Sequence, residues 1–334
     1  MNNTNYYYSL DFFRGFCGYG VAITHFYAFA LDNLYMEYMS LIFAEFFFLL
    51  SGFVLYPQLL KVINNKKNLF IFFKRRWMRT LPLFLVVLVL ISVLTNKLFS
   101  TDFFKYFFLV QKIVPNFLQD DYFPVLWHLS IEEFFYLVFP LIVICFHPSN
   151  FISKVIFIFL FITFIKFFIA DMFSPNYYRT GTLLRFDAIL LGFILAHYKN
   201  YLLIYKKFIL STLILLSPIY LLNYDLFISE SSSPNLKFIF IIFMQILSGI
   251  IMFSFILSEN FIEKTKMKSF SLLISQQAYS IYCFHMIFIY IFKELELISP
   301  IWSLIYLSLL FSISTLVYKY FEEPIMKLRP KIIN

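Results

Sequence analysis

Apolar residues run through this chain in long blocks separated by short polar breaks. Ten blocks, 10–31, 40–60, 77–97, 124–146, 151–170, 180–198, 203–222, 236–257, 269–292 and 300–321, are long enough to cross a hydrocarbon core of about 30 Å as α-helices. The aromatic run Phe103–Val110 is too short to span and is expected at the interface. The predicted fold is all-α, a polytopic membrane protein of about ten transmembrane helices. No internal repeat breaks the pattern, and no stretch is long enough for a soluble domain.

Composition agrees with that pattern. Of 334 residues, 61% are apolar and only 14% are charged, about half the usual soluble share. A soluble domain of this length has no interior large enough for so much apolar surface. Phe, Ile, Tyr, Lys and Asn are all in excess, as AT-rich coding produces, so no single aromatic is given functional weight. Cys17, Cys145 and Cys283 sit apart in apolar runs, which argues against a disulfide framework or a zinc site. No basic segment precedes the first block, which already holds Asp11 and Arg14, so no cleaved leader is expected.

The net charge of +8 needs no nucleic acid to explain it, because basic residues in membrane proteins set orientation. With the N-terminus placed in the cytoplasm, the inner loops and tail hold eighteen Lys and Arg. The outer loops hold six, Lys97, Lys105, Lys112, Arg179, Lys237 and Lys293. This bias predicts ten spans with both termini cytoplasmic.

Ionisable residues at membrane depth each cost about 2.5–3.5 kcal/mol on insertion scales, so their positions are informative. Asp11, Arg14 and His25 fall in the first block, Glu45 in the second, and His128, Glu132 and Glu133 in the fourth. Arg185 and Asp187 fall in the sixth and His285 in the ninth. Pairing that glues the bundle explains a lone residue such as Glu45; for a set this large a functional polar cavity is the better account.

Helical geometry orders the set. The eleven residues from Arg14 to His25 make three turns and about 20°, so both lie on one stripe roughly 16 Å apart. Asp11 sits one turn before Arg14 and can pair with it. His128, Glu132 and Tyr136 recur every fourth residue and share a face, while Glu133 is turned about 100° away. The loop before the third block ends in Lys74-Arg75-Arg76-Trp77-Met78-Arg79. It reads either as a topology signal that binds anionic lipid or as a phosphate clamp, since Arg76 and Arg79 are one helical turn apart. No phosphate-binding glycine loop, dinucleotide fingerprint or nucleophile elbow occurs.

In order along the chain, these residues resemble the acyltransferase 3 family of integral-membrane O-acyltransferases. The resemblance covers essentially the whole chain. It rests on Leu10-Asp11-Phe12-Phe13-Arg14-Gly15 followed by His25-Phe26, on Phe46–Phe53, on Arg76-x-x-Arg79 leading to Pro82, and on Trp127-x-Leu129-Ser130-x-Glu132-Glu133-x-Phe135-Tyr136. Arg185-Phe186-Asp187 with Gly192, Tyr279-Ser280-Ile281-Tyr282 with His285, and Glu322-Glu323-Pro324 complete it. His128 stands where family members often carry Ser.

The resemblance implies one integral-membrane acyltransferase domain over 1–334, without the extracytoplasmic hydrolase-like domain of some members. The implied reaction moves an acyl group, usually acetyl, from acyl-coenzyme A to a sugar hydroxyl of a bacterial cell-surface polysaccharide or lipopolysaccharide, at the inner (plasma) membrane. Acyl-CoA is then a donor substrate and no cofactor is permanently bound. The partners are that donor, a glycan acceptor and membrane lipids, with no nucleic acid, and the oligomeric state is left open. A sugar hydroxyl needs a base that works near neutral pH, which imidazole supplies, and the thioester's developing oxyanion needs a donor or cation. The candidate catalytic residues are therefore His25, Arg14, Asp11 and Glu132. Arg76, Arg79, Trp127, Glu133, Tyr136, Arg185, Asp187, Tyr282 and His285 are the candidate substrate-binding residues, and no metal site is expected. The competing reading is a transporter or flippase of a lipid-linked glycan or related polyanion. It explains the helices and the buried charges but not the ordered motifs.

Overall fold

The computed structural model describes residues 6–222 and 233–333. Among the described residues it is helical with no strand, and each of the ten apolar blocks meets a helix. In chain order these are α1 (Tyr8–Leu31), α2 (Leu34–Asn64), α3 (Asn68–Leu94), a short α4 (Thr101–Phe107), α5 (Trp127–Val143), α6 (Phe151–Ile169) and a short α7 (Pro175–Thr180). There follow α8 (Phe186–Leu202), α9 (Lys206–Leu222), α10 (Pro234–Leu257), a short α11 (Glu259–Lys264), α12 (Met267–Glu294) and α13 (Ser303–Val317). A π-helical turn, Tyr318–Glu322, leads into α14 (Glu323–Lys327).

Eight runs among the described residues are long and apolar enough to cross a membrane. The expected ten differ for two reasons. Helix α1, diluted by Asp11, Arg14, His25 and three glycines, is not among the eight. Helices α8 and α9 join through a single 3-10 turn into one run, Leu183–Pro218.

Two boundaries correct the sequence reading. Helix α2 starts at Leu34 rather than at 40, because Asn33 caps it by accepting the Tyr35 N–H at 2.8 Å. Asp32 turns left-handed before it, at φ 47°, so α1 and α2 fold back on each other through two residues. Helix α3 starts at Asn68 rather than at 77, since nothing between Asn68 and Pro82 breaks a helix. The basic cluster expected in a loop is therefore helical, which fixes Arg76 and Arg79 one turn apart. The run at 103–110 is the short helix α4 and its exit, as its length requires. Its Asp102 is drawn upward by burial. The Lys105 ammonium and the Asp120 and Gln119 N–H groups outweigh that and hold the carboxyl below the usual range.

Helix α1 packs along both α2 and α12, and α2 along α8. One apolar core surrounds α2, α5, α6, α8 and α10; a second surrounds α3, α12, α13 and the loop after α4. Helix α1 contributes to both, with Phe13 to the first and Phe26 to the second. The helices approach backbone to backbone at Gly52 of α2 and Gly192 of α8. A Cβ at Gly52 would lie 2.0 Å from the Ile189 carbonyl oxygen, and one at Gly192 would lie 2.2 Å from that of Leu49. Side chains that small are what let membrane helices meet backbone to backbone.

Gly52→Ala or Gly192→Ala should thus each cost about 1–3 kcal/mol by forcing the helices apart. Gly249→Ala, whose Cβ would meet only the movable side-chain ends of Leu195, at 3.1 Å, and Leu49, at 3.7 Å, should cost less than about 0.5 kcal/mol. Unfolding in detergent measures all three, and equal losses would refute the close-contact account.

Candidate functional site

The seam between the two cores is hollow. An inner cavity of about 130 Å³ is lined from α1, α2, α3, α5 and α12, and the polar groups on its wall include Arg14, His25, Arg76, Arg79, Glu132 and Tyr136. A second cavity of about 600 Å³ opens toward the other end of the bundle, among Asp32, Glu37, Lys112, Asp121, Arg179 and Lys293. His25, Ser40, Leu41, Val125 and Trp127 line both cavities. His25 therefore stands where the two meet.

Helix α1 presents the stripe its sequence spells out. Arg14 Nη1 lies 3.1 Å from Asp11 Oδ1 and donates to Ser275 Oγ of α12 at 3.1 Å. The Ser275 hydroxyl and the Tyr6 hydroxyl both donate to the same Asp11 carboxylate. Asp11 itself is buried outside the cavity wall, so it orients Arg14. Three turns further on, His25 Nδ1 lies 3.1 Å from His285 Nε2, and His285 is fully buried beneath it.

Helix α5 turns the expected face inward. His128, Glu132 and Tyr136 line the inner cavity with Trp127, while Glu133 is buried near Thr80 of α3 and is not among the lining residues. The Tyr136 and Ser51 hydroxyls are 2.7 Å apart, with Glu132 beside both. Arg76 lies over the Tyr136 ring at 5.2 Å. Among the described residues neither Arg76 nor Arg79 makes an ion pair, and the Arg76 Nε is buried without a hydrogen-bond partner. The chain end brings a further guanidinium to this mouth. Arg75 Nη1 donates to the Pro330 carbonyl at 2.7 Å, and the Asn68 side chain pairs both ways with the Ile333 backbone. Burial, with Arg79, Arg75 and Arg76 as neighbours, lowers Arg329 to about 10, still protonated at neutral pH.

Arg185 and Asp187 are not brought to either cavity. They lie behind the wall in a fully buried cluster: Arg185 pairs with Glu45, and Lys166 Nζ meets Asp187 Oδ2 at 2.6 Å. The Arg185 guanidinium lies 5.6 Å over the Phe48 ring, which in turn stacks on His128 at 3.9 Å. The structure places them away from both cavities, behind the wall that carries His128. Lys166 went unread in the sequence, where it looks like a stray charge in a Phe-rich helix. The signal was its depth, since a lysine there requires a carboxylate on a neighbouring helix. Tyr282 lines the inner cavity and donates to the Val125 carbonyl at 2.7 Å. Ser51 is the cavity residue the sequence showed only as part of a motif. No cluster that could hold a metal ion occurs among the described residues.

The site is thus a histidine between two chambers, with arginines lining one of them. Residues 7–319 match the acyltransferase domain that defines the acyltransferase 3 family. The chain belongs to that family. An uncharacterized protein of Haemophilus influenzae is 33% identical over 216 residues, 54% of this chain and 87% of its own length. The O-acetyltransferase OatA of Staphylococcus aureus is 30% identical over 220 residues, 59% of this chain. That match spans only 35% of OatA's length. No solved structure matches the chain.

The two carboxylates of α5 give a direct test of which face of that helix works. Glu132→Gln should lower acyl transfer by roughly tenfold or more, and Glu133→Gln should leave most of it. Rates measured on purified protein with matched expression decide it, and the reverse order would mean that the cavity wall is not the working face.

Proposed function

We propose that this multi-pass membrane protein is an O-acyltransferase that moves an acyl group, acetyl, from acyl-coenzyme A to a sugar hydroxyl of a cell-surface polysaccharide or lipopolysaccharide. In this reading it crosses the bacterial inner membrane ten times with both termini in the cytoplasm, and residues 1–334 form one catalytic domain. The observation that carries the proposal is the position of His25, shared by an inner cavity rimmed with arginines and an outer cavity rimmed with mixed charges. OatA's own description as an O-acetyltransferase supports the choice of acetyl.

The donor enters from the arginine-rich mouth. Arg76, Arg79 and Arg329 meet its phosphates, with the forked guanidiniums suited to bidentate contacts. The inner cavity is close in size to an engineered 150 Å³ cavity that accepts benzene, so it has room for the acyl thioester end of the donor and leaves the nucleotide at the mouth. Arg14 flanks that path from α1. The acceptor enters the outer cavity, where Trp127 offers an aromatic face to a sugar ring and the mixed charges offer hydrogen bonds to its hydroxyls. His25 removes the hydroxyl proton as the oxygen attacks the thioester carbonyl. The C–S bond then breaks, and His25 returns the proton to the departing thiolate. Donor and acceptor meet at one residue without either crossing the membrane.

His25→Gln and His25→Asn keep a hydrogen-bonding side chain but cannot accept a proton near pH 7, so each should reduce transfer by about a hundredfold or more. His147→Ala, in an exposed loop, should be silent. Surface glycan from cells carrying each variant, compared by mass spectrometry, reports the outcome. Acetyl-sized losses support the enzyme, whereas loss of the whole polymer would support a transporter.

Arg76→Lys and Arg79→Lys keep the charge and lose the fork, so each should raise the KM for acyl-CoA by about tenfold with kcat nearly unchanged. An unaltered KM would reduce the cluster to a topology signal.

A further inference from the structure

His285 was expected among the substrate contacts, yet it is fully buried and lines neither cavity. Its surroundings determine where its protons sit. His285 Nδ1 lies 2.7 Å from the Tyr282 carbonyl oxygen and 3.2 Å from that of Ile281. Carbonyl oxygens only accept, so Nδ1 must carry a hydrogen. In the neutral ring Nε2 is then a bare acceptor, and its partner at 3.1 Å is His25 Nδ1. That nitrogen must donate, which fixes the neutral His25 as the Nδ1–H tautomer and leaves its Nε2 with a free lone pair. No other tautomer of the neutral pair satisfies all these contacts. The ring geometry fits: the planes lie within 7° of each other with centroids 5.2 Å apart, so the rings meet edge to edge along the N–H···N line. Among the described residues, His25 Nε2 has no hydrogen-bond partner, and His25 borders both cavities.

We propose that His285 is the positioning residue of the reaction: it holds His25 in the one tautomer and orientation that aims a basic nitrogen at the junction of the cavities. The inference rests on His25 being the base. When His25 Nε2 takes the acceptor's proton, its Nδ1–H bond to His285 becomes charge-assisted and strengthens. When the proton passes to the thiolate, the bond relaxes, so His285 gains and loses nothing over the cycle. A buried aspartate does this work in serine hydrolases, where the wrong tautomer costs about 10⁴ in kcat. A neutral imidazole does it here without placing another carboxylate at membrane depth, where charge is costly. Helix packing alone would not explain why the buried ring is anchored by two carbonyls of its own helix and left with a single acceptor, turned toward His25.

The test uses two substitutions and a spectroscopic readout that does not depend on turnover. Gln at 285 can place its amide oxygen near the Nε2 position, whereas Leu fills the space with no acceptor. With full-length protein in detergent and ¹⁵N-labelled histidine, His25 in the wild type should show a protonated Nδ1 and a bare Nε2. His285→Gln should preserve that signature, and His285→Leu should lose it to a mixture of tautomers. In acetyl-transfer assays His285→Leu should lower kcat by about a hundredfold with both KM values within about twofold, and His285→Gln should recover at least a tenth of wild-type kcat. An unchanged His25 signature in His285→Leu, or equal kcat losses in the Leu and Gln variants, would overturn the proposal. Should His25→Gln stay active while the tautomer responds to His285→Leu, the base assignment fails and with it the positioning role. The failure would then lie with the base and not with the hydrogen-bond geometry.

Discussion

A charge inside a bilayer calls for an opposite charge or a polar space, and two sets of ionisable residues in this chain answer that call differently. Glu45, Lys166, Arg185 and Asp187 find one another in the dry core between α2, α6 and α8. Arg76, Arg79, Glu132 and His25 instead surround the hollow seam. The first set has little to offer a substrate, because its carboxylates and cations are already engaged and sealed from water. Pairs of this kind seldom add much net stability over a well-packed apolar core, but removing one partner strands the other and costs about 3–5 kcal/mol. They therefore fix which helices meet and at what rotation. Through Phe48 that rotation reaches His128 and the wall of the inner cavity.

The second set depends on the first. Helix α1 places an arginine near one end and a histidine three turns deeper on one stripe, but the stripe faces a cavity only because α2 and α12 clasp it from both sides. On one side, the two-residue turn at Asp32 and Asn33 holds α2 against it. On the other, Arg14 and Asp11 share Ser275, Tyr19 donates to Gln277, and His25 meets His285, so α12 is tied to α1 at three depths. The apolar cores on either side can then pack independently, leaving a hollow seam between them.

Much of this was legible in the sequence, and the part that was not has a physical reason. Helix periodicity was enough to place Arg14 with His25, Asp11 beside Arg14, and His128, Glu132 and Tyr136 on the inward face of α5. Those are relations within one helix, where 3.6 residues per turn determines everything. Helix starts were read less well. An apolar scan begins where polarity falls, whereas α2 begins at its Asn33 cap and α3 at Asn68, several residues earlier. Relations between helices were least legible. Nothing local to Arg185 says that Glu45 lies against it, and nothing local to His285 says that His25 is its neighbour 260 residues away. Depth supplied the missing hint in each case, since a lone ionisable group in a membrane helix predicts a partner without naming it.

The same reasoning bears on the crowding of arginines at one mouth of a chain so poor in charge. Arg76 and Arg79 make no ion pair among the described residues, and Arg329 is drawn in beside them although their fields oppose it. Packing alone would select against such crowding, which raises the free energy of the empty site. Under the proposed function, a polyphosphate arriving at that mouth would relieve the repulsion as it binds, turning the strain of the empty state into affinity for the donor. At the far end the charges are mixed and Lys112 is already matched by Asp121, which suits a polar acceptor of little net charge. Under the proposed function, the asymmetry of the two mouths would give the path a direction: the anionic donor has one favourable entrance, and His25 lies beyond it.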